Sequence, residues 1–284
     1  MNLIIQGHDI PTPSLKQLAK QTGATAIEAV TPTAFRLRAV DAGPRAEVAT
    51  FCDENRFDCG WVPAGRCISD FGLLVMDMDS TLITIECIDE IADMQGLKPQ
   101  VSAITEAAMR GEIDFAESLR RRVSLLAGLD QSALQRVYDE RLQLSPGAET
   151  LLAAARATGI KTLLVSGGFT FFTERLKPRL GLDYTAANTL DVADGKLTGR
   201  LLGDIVDAQG KADWLNQVRL QLGLKKEQVV AMGDGANDLK MMAEAGVSIA
   251  YRAKPVVRAQ ASYALNHVGL DGVIPLLGET GADR

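Results

Sequence analysis

The chain has 284 residues, 46% of them hydrophobic and 23% charged, which is the balance of a globular protein with a buried core. Its formal net charge of −6 argues against a nucleic-acid-binding protein, because binding to phosphate backbones needs clustered Lys and Arg. The sequence shows no apolar run long enough to span a membrane and no signal-peptide pattern, and its four cysteines form no CxxC pair. We therefore expect a cytoplasmic protein with free thiols and no membrane partner.

Residues 1–68 are predicted to form a small N-terminal α+β domain. Their apolar pattern indicates the order β-α-β-β-α-β, which is the ferredoxin-like order of elements and loosely resembles that of ACT domains. The segment brings together no set of catalytic residue types. We therefore expect it to have a regulatory role, or to join two copies of the chain in a homodimer, rather than to carry out chemistry.

Residues 69–284 alternate between short apolar runs and helical stretches. Four of the runs end in small or polar residues and are predicted to be strands: 71–77, 161–168, 228–235 and 246–253. Near-continuous apolar strands that alternate with helices indicate an α/β fold with a Rossmann-like parallel sheet, covered by helices on both faces. Residues from about 85 to 145 interrupt the alternation with helical spacing and no strand, so we expect an inserted helical cap there.

Polar groups follow three of the predicted strands, where ligands of open parallel sheets bind. These groups are Asp77 and Asp79, Ser166 with Gly167 and Gly168, and Asp234 with Asn237 and Asp238. Carboxylate oxygens suit Mg²⁺, and glycines allow backbone N–H groups to approach an anion closely. If the three strands are neighbours in the sheet, we expect their ends to bind a cation together with a phosphoryl group.

Asp77 and Asp79 are two residues apart, so in an extended chain their side chains point to the same side, separated by about 6.5 Å. This spacing suits a reaction in which Asp77 attacks a phosphorus atom while Asp79 protonates the leaving oxygen and later activates a water molecule. Lys211, at an apparent helix start, would balance the charge. Each motif alone has a plainer interpretation, since DxD and SGG are common in turns and GDGAND in helix caps.

Together, "DMDSTL" (77–82), "SGG" (166–168), Lys211 and "GDGANDLKM" (233–241) resemble the four motifs of the haloacid dehalogenase-like phosphatases. The resemblance covers roughly residues 71–277 and implies a Mg²⁺-dependent enzyme. The implied metal ligands are Asp77, Asp79 and Asp234, and the implied phosphate-binding residues are Ser166, Gly167, Lys211 and Asn237. Pumps of the family carry Thr two residues after the nucleophile, whereas this chain has Asp79, which implies fast hydrolysis and therefore a phosphatase.

Residues in and near the predicted cap resemble the phosphoserine phosphatase branch of that family. Glu86 follows Asp77 by nine residues, where this branch binds the substrate ammonium group, and Arg122 lies where it binds the carboxylate. Met109 and Phe115 fall where the branch places apolar residues over the substrate. The resemblance implies a phosphoric monoester hydrolase that releases serine and phosphate from phosphoserine, in the last step of serine biosynthesis.

Two other interpretations stay open. One is an enzyme for another small phosphate such as phosphohomoserine, or one that transfers the phosphoryl group to homoserine. The other makes residues 1–68 the main functional part, as a ligand-binding regulatory module of the ACT type. Three further acids near Glu86 are expected to be solvated helix residues: Asp89, Glu90 and Asp93. Two further arginines near Arg122 are expected to lie on the surface: Arg120 and Arg121.

Overall fold

A computed structural model describes residues 1–279, except for the side chain of Met109. The strands in this part of the chain are β1 (Asn2–Gln6), β2 (Ala26–Thr31), β3 (Ala34–Arg38), β4 (Asp58–Val62), β5 (Leu73–Met76), β6 (Lys161–Phe169), β7 (Tyr184–Ala193), β8 (Lys196–Leu202), β9 (Val229–Gly233), β10 (Val247–Tyr251) and β11 (Tyr263–Leu265). The helices are α1 (Thr12–Thr22), α2 (Arg45–Glu54), α3 (Cys87–Met94), α4 (Lys98–Met109), α5 (Phe115–Ser124), α6 (Ser132–Glu140), α7 (Ala148–Ala157), α8 (Thr170–Leu180), α9 (Ala208–Gln221), α10 (Leu239–Ala243), α11 (Pro255–Arg258) and α12 (Val273–Leu277).

The first four strands form an antiparallel sheet in the order β2-β3-β1-β4. Side chains alternate between the two faces of a strand, and β1 uses both faces. Leu3 and Ile5 pack with α1 and α2, whereas Ile4 belongs to the core of the larger part of the chain. The α+β order of elements expected for this segment is confirmed, while its ACT-like character and the division of the chain at residue 68 stay predictions.

The N-terminal sheet is fixed to the rest of the molecule by hydrogen bonds of buried side chains. Asp58 of β4 is 2% exposed, and its carboxylate accepts hydrogen bonds from the backbone N–H groups of Asn266, His267 and Val268 at 2.7–3.0 Å. Gln6 donates to the carbonyl oxygen of Gly272 at 2.9 Å. Because such buried groups lose stability when they are left unpaired, these contacts bind the two sheets to each other.

The other seven strands form a sheet in the order β11-β10-β9-β5-β6-β7-β8. All neighbouring pairs are parallel except β7 and β8, which form an antiparallel hairpin. The α/β fold with a mostly parallel sheet is thus confirmed. Strand β5 lies between β9 and β6, so the carboxyl ends of these three strands, which the sequence singled out, lie side by side.

Helices α3–α6 are inserted between β5 and α7, so this part of the chain is helical, as the sequence predicted. The insert leaves and rejoins the sheet domain at one place, where Ile83 pairs with Leu144 and the N–H of Thr84 donates to the carbonyl oxygen of Gln143 at 2.9 Å. Among residues 1–279, none of the helices is long and apolar enough to cross a membrane.

The β7–β8 hairpin was not predicted. Its turn consists of Asp194 and Gly195, which have φ angles of 49° and 74°, as a tight two-residue hairpin turn requires. Strand β8 then contacts the helical insert, because the N–H of Gly128 donates to the carbonyl oxygen of Leu197 at 2.8 Å. The hairpin therefore supports one side of the insert.

Candidate active site

The backbone turns sharply at the carboxyl end of β5 and places two carboxylates there. Asp77 follows the last residue of the strand, and its Oδ1 accepts a hydrogen bond from the N–H of Met78 at 2.7 Å. Met78–Leu82 form one irregular helical turn, in which Ser80 has a φ of 55°. After this turn the chain enters α3, and the N–H of Cys87 donates to Oδ1 of Asp79 at 3.1 Å. The first turn of α3 thus fixes the orientation of Asp79.

Lys211 lies beneath these carboxylates and is 1% exposed. The Asp207 side chain caps the start of α9 by accepting from the N–H groups of Gln209 and Gly210, and this sets where Lys211 lies in the first turn. The Nζ atom of Lys211 is 2.7 Å from Oδ1 of Asp77 and 2.7 Å from Oδ1 of Asp238. Burial alone would lower the pKa of Lys211, but the two carboxylates outweigh it and raise the pKa, so the side chain stays charged.

Asp77, Asp234 and Asp238 bring carboxylate oxygens within 4.8 Å of one another. Burial and the charge of Asp238 raise the pKa of Asp77 well above its usual value, and the same two causes raise the pKa of Asp234 to about 6. One buried lysine therefore does not balance the negative charge of the cluster. Oxygen ligands of this kind suit a hard divalent cation, so the residues present fit a metal site.

The cluster differs in one member from the expected set of Asp77, Asp79 and Asp234. The carboxylate of Asp79 lies outside it, although Asp79 faces the same cavity. Asp238 lies inside it, fully buried, and its Oδ2 accepts a hydrogen bond from the N–H of Gly235 at 3.0 Å. Because Asp238 is already bonded to Lys211 and Gly235, its main contribution is to add charge and to hold Lys211 in place.

The end of β6 supplies a hydroxyl and backbone amides beside Asp79. Ser166 is buried, and its Oγ accepts a hydrogen bond from the N–H of Gly168 at 2.8 Å. A Cβ on Gly168 would lie 2.7 Å from Oδ2 of Asp79 and 3.0 Å from Oγ of Ser166, so any larger residue would displace these two side chains. A Cβ on Gly167 would lie 3.0 Å from the Phe115 ring, which shows that the insert reaches over this strand end.

Asn188 of β7 holds this strand end and was missed in the sequence. It is 2% exposed, its Nδ2 donates to the carbonyl oxygen of Gly167 at 2.8 Å, and its Oδ1 accepts from the N–H of Val206 at 2.8 Å. A single buried Asn thereby ties β6 to the segment that leads into α9 and Lys211. The available signal was a polar amide within a strand, where Asn is uncommon.

A cavity of about 480 Å³ lies at this edge of the sheet and also receives residues from the helical insert; the residues outside the insert that line it include Asp77, Asp79, Gly167, Gly168, Lys211 and Asp234. Glu86 precedes α3 and is accessible to solvent, and its Oε1 accepts a hydrogen bond from the hydroxyl of Ser80 at 2.8 Å. Desolvation by the surrounding protein, together with the negative charge of Asp79, raises the pKa of Glu86 to about 7. Arg122 enters the cavity from α5. The cavity therefore contains the aspartate cluster, and the insert adds one negatively chargeable group, Glu86, and one positive group, Arg122.

The structure brings most of the sequence-predicted site residues to this cavity. Those that line it are Asp77, Asp79, Glu86, Phe115, Arg122, Gly167, Lys211, Asp234 and Asn237, with Ser166 buried next to it. Met109 ends α4, and its side chain lies outside the described part of the structure. Arg120 and Arg121 are exposed, as expected.

The expectation for the acids of α3 was wrong for two of three residues. Asp93 is exposed, but Asp89 is half-buried and lines the cavity. Glu90 is half-buried and lies 3.6 Å from a nitrogen of Arg141. The signal for Asp89 was its position three residues after Glu86, because residues with this spacing share a face of a helix.

Comparison with known proteins agrees with this geometry. A family model described as haloacid dehalogenase-like hydrolase matches residues 74–243, and one described as a domain of unknown function (DUF4072) matches residues 3–48. A phosphoserine phosphatase from Polaromonas sp. is 56% identical over 215 residues, which cover 74% of this chain and 91% of the relative.

Two solved structures cover nearly the whole chain. A HAD family hydrolase from Salmonella enterica serovar Typhi has a TM-score of 0.89 at 33% identity, with 98% of each chain covered. A probable phosphoserine phosphatase from Vibrio cholerae has a TM-score of 0.86 at 40% identity, with 97% of this chain and 86% of that chain covered. The chain therefore belongs to the haloacid dehalogenase-like hydrolase family.

Proposed function

We propose that this protein is a phosphoserine phosphatase, which hydrolyses O-phosphoserine to serine and inorganic phosphate in the last step of serine biosynthesis. The observation that carries the proposal is that one cavity is lined both by Asp77, after β5, and Lys211 of α9 and by Glu86 and Arg122 of the insert. The first pair suits a phosphoryl group, and the second suits the ammonium and carboxylate groups of an amino acid. The similarity to curated phosphoserine phosphatases supports the same substrate.

In the proposed reaction, Asp77 attacks the phosphorus atom of the substrate. Its Oδ1 is bonded to Lys211 and to the N–H of Met78, so Oδ2 is the oxygen that we expect to attack. A bond forms between Asp77 and phosphorus while the bond from phosphorus to the serine oxygen breaks. Asp79 donates its proton to that oxygen. Burial supports this role, because it raises the pKa of Asp79 and favours the protonated form.

The second half of the reaction regenerates the enzyme. Asp79, now ionised, accepts a proton from a water molecule, and the water oxygen attacks the phosphorus of the aspartyl-phosphate. The bond between phosphorus and Asp77 breaks, which releases inorganic phosphate and the free carboxylate. Lys211, Ser166, Asn237 and the amide of Gly167 are proposed to hold the phosphoryl oxygens throughout.

Asp77 and Asp234 are proposed to hold a Mg²⁺ ion through their carboxylates, and Asp79 through its backbone oxygen. When bound, the ion offsets negative charge on the phosphoryl group. The raised pKa values of Asp77 and Asp234 support a cation at this position, since the cluster without one contains uncompensated charge. Lys211 is already committed to Asp77 and Asp238 and supplies one positive charge only.

Substrate recognition is proposed to use the residues of the insert. Glu86 accepts hydrogen bonds from the substrate ammonium group, and Arg122 donates to its carboxylate, which a planar guanidinium group can bind with two parallel bonds. Phe115 lies against Gly167 and would close over the bound substrate, which keeps bulk water from the aspartyl-phosphate. Met109, which ends α4, is proposed to take part in the same closure.

Phosphate release from phosphoserine, measured with Mg²⁺ and with a chelator, tests the proposed function. We expect Mg²⁺-dependent release and its loss in Asp77→Asn, with the Arg122→Ala variant raising KM for phosphoserine much more than KM for p-nitrophenyl phosphate. A panel that contains phosphohomoserine and alcohol acceptors tests the substrate. Preference for phosphohomoserine, or transfer to homoserine in place of hydrolysis, would contradict the proposal.

A cytoplasmic location, a regulatory role for residues 1–68 and assembly as a homodimer stay predictions. Serine-dependent inhibition that disappears when residues 1–68 are deleted would support the regulatory role, if the deleted protein keeps its basal activity. Light scattering of the full chain in solution measures the oligomeric state directly.

A further inference from the structure

Two acids of the helical insert face the cavity from the start of α3. Glu86 is the residue before the first turn and Asp89 lies three positions later, so both are on one side of the helix. The N–H of Asp89 donates to the carbonyl oxygen of Glu86 at 3.1 Å, which fixes their relative position. Asp89 is half-buried and lines the cavity together with Glu86 and Arg122. The proposed function assigns a task to Glu86 and Arg122 but none to Asp89.

Arg122 reaches the cavity from α5 without a close ionic partner. Its Nε donates a long hydrogen bond, 3.4 Å, to the carbonyl oxygen of Ser118 one turn earlier. Among residues 1–279, every carboxylate oxygen is more than 4.0 Å from the guanidinium nitrogens of Arg122, which is too far for an ion pair. The neighbouring arginine differs in this respect, since Arg121 is bonded to Glu117 at 2.6 Å. The guanidinium group of Arg122 therefore keeps free donors.

Asp89 lines the same cavity as Arg122, and its negative charge favours the charged form of the guanidinium group. Burial lowers the pKa of Arg122, and among the carboxylates that oppose this effect Asp89 comes before Glu86 and Asp79. A charged group at the wall of a cavity is held by an opposite charge nearby even when no short ion pair forms, because attraction between charges falls slowly with distance at low dielectric. Without that restraint, a long arginine side chain has many rotamers available, and binding must order it.

We propose that Asp89 is a positioning residue that restrains Arg122 at the cavity wall, with its donors directed to the carboxylate of the substrate. The distance between Asp89 and Arg122 matters for this task. A close ion pair would compete with the substrate for the same donors, whereas a more distant charge orients the guanidinium group and leaves the donors free. This inference rests on the proposed function, because it assumes that Arg122 binds a carboxylate.

A double-mutant cycle with two substrates tests the proposal. The variants are Asp89→Asn, Arg122→Ala and the combination of both, and the substrates are phosphoserine and phosphoethanolamine, which lacks the carboxylate. We expect Asp89→Asn to raise KM for phosphoserine about tenfold, the size of one charge-assisted interaction, with kcat nearly unchanged. KM for phosphoethanolamine should not change. In the Arg122→Ala background, Asp89→Asn should have no further effect on KM for phosphoserine.

Asp93→Asn is the matched control, since Asp93 is an exposed acid of the same helix and should leave both KM values as they are. Equal increases in KM for both substrates would overturn the proposal, because Asp89 would then act on the ammonium group or on the fold. Independent effects of the two substitutions would overturn it as well. Circular dichroism checks folding of each variant, and Asp89→Ser provides the same comparison if the Asn variant is unfolded.

The cycle separates this inference from the proposed function. If the unmodified protein does not hydrolyse phosphoserine, the proposed function is wrong and the inference falls with it. If the unmodified protein hydrolyses phosphoserine and Arg122→Ala raises KM, but Asp89→Asn leaves KM unchanged, only the inference is wrong.

Discussion

Lys211 donates a hydrogen bond to Asp238 at 2.7 Å, and neither side chain reaches solvent. The same ammonium group contacts Asp77 at 2.7 Å, so one buried cation holds together the proposed nucleophile and the turn that follows β9. Removing one partner of a buried ion pair leaves an uncompensated charge, which is much more unfavourable than losing an exposed pair.

Lys211→Met should therefore lower the free energy of unfolding by about 3–5 kcal/mol and abolish phosphatase activity. Urea unfolding followed by circular dichroism measures the first effect. Lys161→Met is the matched control, because Lys161 also lies 2.7 Å from an aspartate, Asp183, but is 50% exposed. Its loss should lower stability much less than the loss of Lys211 does, because water screens an exposed ion pair, and equal losses for both variants would contradict this explanation.

Gly168→Ala should leave the fold intact and lower kcat by about 100-fold. The added Cβ would displace the side chains of Asp79 and Ser166 by up to about 1 Å, and a displacement of this size in reacting groups slows catalysis strongly. The Cβ would lie 2.7 Å from Oδ2 of Asp79, a distance that forces one of the two atoms to move. Steady-state kinetics and a melting curve measure the two effects. Gly43→Ala is the control, since a Cβ there lies 3.6 Å or more from its neighbours. Equal activity of the two variants would show that Asp79 needs no exact placement.

Much of the sheet, and of the site at the carboxyl ends of its strands, could be predicted from the sequence because two simple patterns coincide there. Apolar runs mark β5, β6 and β9 as buried strands, and each run ends in polar groups such as Asp77, Ser166 and Asp234. Parallel strands bring their carboxyl ends to one edge, so the order of motifs along the chain predicted a cluster in space.

The parts that were missed depend on contacts between segments that are distant in sequence. The pattern of β7 and β8 is half polar, because this hairpin is at the sheet edge and is partly solvated, so only the Asp194–Gly195 turn marked it. Asp89 and Glu90 appeared to be surface acids, since nothing in the local sequence indicates that α4 and α6 pack against α3. An amide side chain within a strand marks Asn188 as unusual, but its role follows from its bonds to Gly167 and Val206, and the sequence does not identify these partners.

KM for phosphoserine should rise as the pH falls below about 7. Desolvation and the charge of Asp79 raise the pKa of Glu86 to about 7, and below this pH the carboxyl group takes up a proton and loses its attraction for an ammonium group. The phosphate ester of 3-hydroxypropionate, which lacks the amino group, should not show this rise. Kinetics at a series of pH values with both substrates measures it, and a rise of the same size for both would contradict the role of Glu86.

The same shift predicts that Glu86→Gln stabilises the substrate-free protein at alkaline pH. An acid whose pKa is higher in the folded than in the unfolded protein binds more protons when folded, so its contribution to stability declines as the pH rises from about 4.5 to about 7. The neutral Gln has no such decline. Melting temperatures at pH 5 and pH 8 should show a gain for the variant at pH 8 only, and a gain at pH 5 of the same size would contradict this cause.

Mg²⁺ should raise the melting temperature of the protein, because it binds the folded state only and offsets the charge of Asp77 and Asp234. The gain should diminish below pH 6, where protons compete for Asp234, whose pKa is raised to about 6 by burial and by Asp238. Asp234→Asn should remove the effect of Mg²⁺ and, by relieving repulsion, melt higher than the parent without the ion. An unchanged response to Mg²⁺ in this variant would place the cation elsewhere.

Asp77 is proposed to carry the phosphoryl group between the two halves of the reaction. Rapid acid quenching of the enzyme during turnover of phosphoserine, followed by peptide mass spectrometry, tests it most directly. The peptide that contains Asp77 should gain the mass of one phosphoryl group, and this gain should be absent in Asp77→Asn. Turnover of phosphoserine by Asp77→Asn at the parental rate, or a phosphorylated residue other than Asp77, would contradict it.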